Sequence, residues 1–191
     1  MRELSELVQR LNELDRRVSG MIRQGRVTDV DPAKQLVRLE IGRDENGQPV
    51  KGPWVPYAQH AGALKLHTPP SVGQQMTAIS PSGDPQQATA MPFTWSGENS
   101  SPSQAGNEHV LTFGSVRLDL KAGSLKATVG GTTFEVSASG VKVTAGGTTH
   151  EITGGGVAVQ GGQVTHDGKN VGSSHTHTGV EAGGAQTGAP A

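Results

Sequence analysis

His175-Thr176-His177 is the segment of this chain best equipped for chemistry. Neutral imidazole is a ligand for first-row metal ions. In a strand, residues i and i+2 project to one side, so both rings face one way and Thr176 the other. Two histidines are a poor site alone. Three chains around a threefold axis supply six imidazole nitrogens, an octahedral set suited to Fe(II) or Ni(II). Structural zinc prefers four ligands and fits less well. No carboxylate joins the cluster in sequence, so the site is closed, holds no activated water and has a structural role. Taken alone, the pair reads as a polar tail that binds nothing. Its place at the end of a threefold prism is what makes it a metal site.

Other chemistry is sparse. The chain has no cysteine, no G-x-S-x-G, no phosphate-cradling glycine loop and no H-E-x-x-H. The expectation is therefore a protein that is not an enzyme. A glycosidase needs a facing carboxylate pair, which sequence alone leaves open across subunits. His150 and His166 fall one and two repeat periods after Phe134, and a phase drift at Gly154-Gly155-Gly156 is expected to leave both exposed. His60, His67 and His109 have no ligand partners at useful spacing.

A repeat positions the histidine pair. Gly130-Gly131-Thr132-Thr133-Phe134-Glu135-Val136 recurs as Gly146-Gly147-Thr148-Thr149-His150-Glu151-Ile152, an offset of 16 residues. Each period holds two short strands joined by glycine-bearing turns. Val116, Leu118 and Leu120 alternate with Arg117, Asp119 and Lys121, so one face is apolar and the other charged. A single chain cannot enclose such a face, whereas three chains form a triangular prism with the apolar faces inside. About eight strands from Val110 to Thr165, stacked at ~4.7 Å, give a shaft of roughly 40 Å. A single-chain β-helix is the alternative, but its repeats are longer.

The first half has another texture. Leu4, Leu7, Leu11, Leu14, Val18 and Met21 follow coiled-coil spacing. That predicts a helix over 1–20, set against copies of itself, against another protein, or against its own domain. Arg26–Val30, Gln35–Ile41, Trp54–Tyr57, Met76–Ile79 and Ala88–Met91 read as short strands, with Asp31-Pro32-Ala33-Lys34 a turn and Gly42 to Gly52 a polar loop. Five strands in that length suit an OB-type Greek-key barrel over 21–97. A linker follows at 98–107, then the stalk at 108–172 and an apex at 173–191.

Composition agrees. Of 191 residues, 32% are hydrophobic and 3% aromatic, with 28 glycines, which is little for a large monomeric core. A net charge of −1 argues against nucleic acid as a partner, although Trp54 and Tyr57 keep an OB-type nucleic-acid binder as an alternative. No apolar signal core opens the sequence, so synthesis in the cytoplasm without a signal peptide is expected.

The order of these parts resembles the baseplate assembly protein V family, the central spikes of contractile phage tails and tail-like bacteriocins. The resemblance rests on Gly25, Trp54-Val55-Pro56 and Gly83-Asp84 in the barrel, the glycine-punctuated repeat, and the terminal His175-Thr176-His177. It implies a mostly β homotrimer with an intertwined β-helix. One iron ion per trimer would be held by His175 and His177 of three chains. It also implies attachment to a baseplate hub through the OB-like domain and N-terminal helix, assembly at the tip of a tail, and piercing of the target outer membrane. No lysozyme domain fits in the chain, which sets peptidoglycan hydrolysis aside. A host-binding or polysaccharide-degrading tailspike is the other reading.

Overall fold

The computed structural model describes residues 2–179 and 183–184. The chain divides into two units, Met1–Ser101 and Pro102–Ala191. It is mostly β, with one long helix at the N-terminus of the described chain.

Helix α1, Arg2–Met21, forms from good helix formers with an acidic first turn at Glu3. Its apolar stripe is continuous, yet no residue of α1 is buried. The C-terminal end is fixed to the barrel that follows. Met21 O accepts a hydrogen bond from Ser80 N at 2.8 Å. Gly20 and Gly83 let backbone meet backbone there: a Cβ on Gly83 would lie 2.3 Å from Arg17 O, and Gly83 has φ +74°.

The barrel is built from β1 (Ile22–Asp31), β2 (Leu36–Arg43), β3 (Pro49–Lys51), β4 (Val55–Pro56), β5 (Gln75–Ile79) and β6 (Thr89–Pro92). The order β3-β2-β1-β5-β6, with β4 also on β2, is antiparallel throughout. A parallel bridge from Tyr57 to Ala90 joins the end of β4 to β6, and Ala58 N donates to Ala90 O at 2.8 Å. That contact closes the Greek-key barrel of the OB type. Val27, Val37, Leu39, Val55, Tyr57, Met76, Ala88 and Ala90 fill it. Alternation explains the choice: Val37 and Leu39 point in, while Arg38 points out, donates to Gly52 O at 2.7 Å and lies over the Trp54 ring. The β1–β2 turn closes as expected, with Asp31 Oδ1 accepting from Lys34 N at 3.0 Å.

One expectation needs revision here. The polar loop of Gly42 to Gly52 contains β3, which pairs Arg43 with Pro49 and Glu40 with Lys51. Its residues are exposed, so no apolar alternation marks it. The 98–107 linker is partly anchored: Glu98 pairs with Arg26 at 2.8 Å and Asn99 Nδ2 donates to Gly73 O at 3.2 Å, both on the barrel's side.

In the second unit, β7 (Glu108–Phe113), β8 (Val116–Lys121), β9 (Ser124–Val129), β10 (Thr132–Ser137), β11 (Gly140–Ala145), β12 (Thr148–Thr153) and β13 (Gly156–Gln160) form a seven-stranded antiparallel meander in sequence order. The 16-residue repeat is one hairpin of this sheet, and its turn glycines Gly130 and Gly146 share φ +56° and +55°. The register carries one apolar row straight across: Leu111, Leu118, Ala127, Phe134, Val143, His150 and Val159. On the opposite face the central row alternates in charge, Asp119-Lys126-Glu135-Lys142-Glu151. Among the described residues nothing in the unit covers the apolar face: Phe134 is 43% exposed and Val157 65%. The ladder runs through all seven strands of the chain without a break.

A small hairpin follows, β14 (Thr165–His166) and β15 (Lys169–Asn170), turned at Asp167-Gly168.

Candidate metal-binding apex

The apex starts from β15. Asn170 at its end caps the next turn: its Oδ1 accepts from Gly172 N at 2.9 Å and its Nδ2 donates to Ser174 Oγ at 3.0 Å. Val171 N donates back to Val164 O at 2.8 Å, tying the turn to the hairpin. The turn carries the chain into His175, whose backbone N–H donates to Gly172 O at 3.1 Å.

His175 and His177 do not lie in a strand. Among the described residues no strand pairs with them, and the turn at Ser173-Ser174 takes up hydrogen bonds instead. The rings nevertheless meet. Their centroids are 5.0 Å apart and their planes are inclined by 80°. Two imidazoles bound side by side at one ion, with metal–nitrogen bonds of about 2.1 Å, have ring centres about 4.6 Å apart. The observed spacing is within a few tenths of an ångström of that.

The His175 ring is also poised. Its Nδ1 lies 2.6 Å from Gly172 O. A carbonyl only accepts, so Nδ1 is the donor, which in the neutral tautomer leaves the lone pair on Nε2. This carbonyl contact is the kind that orients metal-binding histidines. Both rings are exposed in the single chain. Among the described residues no group of three or more His, Cys, Asp or Glu side chains forms a metal cluster within one chain. The donor set of one chain is therefore a pair, and it fits one third of a six-nitrogen cage.

Sequence reasoning missed Asn170 and the Gly172 carbonyl. The available signal was an Asn two residues before a Gly, the pattern of an Asx turn. The other histidines separate cleanly. His166 sits on the β14–β15 hairpin, exposed, with Nε2 3.7 Å from Asp167 Oδ2. His150 is exposed in the single chain, as expected, but without a drift in phase. Thr153 pairs with Gly156 across a two-residue turn, so His150 stays opposite Val143 and Val159 on the apolar face.

Comparison with known families completes the picture. Residues 23–95 match the family described as the type VI secretion system/phage-baseplate injector OB domain. Residues 173–191 match the GpV apex motif. These two matches support a baseplate spike protein V family. Its role is accordingly structural, as a component of a baseplate spike. The first match falls on the closed barrel of β1–β6; the second begins at the turn that aims His175. No curated protein matches the spike chain significantly. Among the described residues no helix is long and apolar enough to cross a membrane.

Electrostatics along the spike chain are those of a braced surface. Arg117 Nη2 pairs with Asp119 Oδ1 at 2.7 Å, and the guanidinium holds that carboxyl below the usual range. Glu108 is lowered by hydrogen bonds from Ser103 and then from Lys121, 3.0 Å away. Asp29 is lowered chiefly by Lys51. Every resolved shift of a carboxyl is downward, toward the charged form (Glu13, Asp29, Asp31, Glu108, Asp119). A general acid requires the opposite shift.

Proposed function

We propose that this chain is the central spike of a contractile injection device, a rigid homotrimeric needle that pierces the target outer membrane as the tail contracts. The observation that carries the reading is the open apolar face of the seven-stranded sheet, which leads in sequence to a matched pair of histidines. An uncovered apolar face of that extent calls for an interface. Three copies of one wall enclose it, and the same threefold axis gathers six imidazoles. The ion held by His175 and His177 of three chains is iron, one per trimer, with Nε2 of His175 free to bind it. A saturated six-nitrogen site supplies cross-linking between chain ends and no catalysis. The protein is therefore not an enzyme. The OB-like barrel and α1 face the baseplate hub, and the assembly belongs at the tip of a virion tail or tail-like particle.

The mechanism is one of load. Contraction drives the shaft forward along its axis. A narrow tip concentrates force on a small area of bilayer, and chain ends are where a protein frays first. Pinning three ends with one ion keeps the tip ordered. The test is the His175→Ala/His177→Ala double variant of the full chain, purified and assayed for iron and mass. The expected result is a trimer that has lost its iron. A double variant that keeps one iron per trimer contradicts the ligand assignment.

A further inference from the structure

Helix α1 exposes a whole apolar stripe, Leu4 being 66% exposed. A helix of 20 residues with no buried residue is marginal in water by itself, and its stripe needs a partner. The charges indicate which one. Within the helix Glu13 pairs with Arg16 and Arg17, and Arg2 pairs with Glu6. Among the described residues Arg10 and Asp15 enter no ion pair of their own chain. With Leu4, Leu11 and Val18 at heptad position a and Leu7, Leu14 and Met21 at d, Arg10 falls at g and Asp15 at the next e. Those two positions face each other between parallel neighbours in a coiled coil. Antiparallel packing, with Leu4 on Met21, sets Arg10 against Arg17, two cations.

We propose that α1 forms a parallel three-stranded coiled coil with two further copies of this chain, closed by Arg10–Asp15 ion pairs between chains. The number three rests on the trimer proposed above; the parallel direction rests on the charges. The apolar seam is then consumed by self-association. The polar outer face, centred on Arg2, Gln9 and Arg16, then remains for a hub. The anchorage at Gly20 and Gly83 makes the helix a second, independent tie among the three barrels.

The chain has no cysteine, so one introduced thiol reports cleanly. Leu4→Cys full-length protein under mild oxidation is expected to give disulfide-linked pairs in up to two thirds of chains, and Leu14→Cys to do the same deeper in the helix. Arg10→Asp in the Leu4→Cys background should cut the cross-linking rate about fivefold over three pairs, and adding Asp15→Arg should restore it. A trimeric mass with no cross-link at either thiol overturns the coiled coil and leaves the trimer standing. Faster cross-linking of Leu14→Cys on introducing Arg10→Asp means antiparallel packing and overturns the direction. A monomeric mass overturns the trimer itself.

Discussion

At the scale of residues, small groups decide where large ones go. Gly83 admits the backbone of Arg17, and Gly20 admits the carbonyl of Gly83. Gly83→Ala places a methyl group against backbone at a positive φ, so a loss of about 2 kcal/mol in barrel stability is expected, measurable as a lower urea midpoint. An unchanged midpoint would mean that helix and barrel are not in contact there. At the apex, Asn170 shapes the turn that brings the Gly172 carbonyl to His175 Nδ1. Asn170→Ala should weaken metal retention about tenfold in competition with a chelator, while both histidines remain. The histidine pair itself was legible in the sequence. The reason its rings meet was not: the alternation of a strand was expected, whereas a turn capped by an Asn side chain does the work. A hydrogen bond from a side chain to a loop backbone leaves no periodic trace in the sequence.

At the scale of elements, periodicity was a good guide wherever one face differs from the other. The leucine spacing of α1, Val37 and Leu39 in β2, and the hairpins of β8 to β12 all carry such a signal. β3 is exposed on both sides, so Pro49-Val50-Lys51 looked like loop. His150 is exposed as expected, but not through the slippage that three successive glycines suggest: the ladder pairs Thr153 with Gly156 and keeps phase. The same sheet yields a pH prediction. Asp119 and Glu108 have carboxyls lowered in the folded chain by Arg117 and by Ser103 with Lys121. A depressed carboxyl stabilises the fold fully above its unfolded value and loses that contribution as pH falls through the folded one. Thermal stability should therefore be flat near neutrality and decline below the ordinary carboxylate range. Asp119→Asn should flatten the upper part of that decline. Glu13 behaves likewise in α1, its pKa lowered from 4.5 to about 2 by Arg16 and Arg17, so the helix keeps this bracing through mild acid.

At the scale of the whole molecule, the described chain is short of core. Eight apolar side chains fill the barrel, and the sheet of the second unit has one face of Leu, Val, Phe and Ile left open. Composition already pointed this way, because glycine-rich strands with few aromatics bury little alone. What sequence could not supply is the order of strands in space. The meander pairs seven strands of one chain in sequence order, so under the threefold proposal each copy would bring a ready-paired sheet to the assembly. Phe134 is in the middle of the open row. Phe134→Ala should cost about 3 kcal/mol or more per chain in the unfolding of the assembly, and Phe134→Asp should prevent assembly. A Phe134 that faces solvent in the final particle would leave the first of these near zero.

Native mass spectrometry combined with elemental analysis tests the threefold proposal most directly. Three times the 19.7 kDa chain mass, with one iron bound, is the expected result. A species that remains at one chain mass at high concentration, with its β-rich spectrum intact, would contradict it.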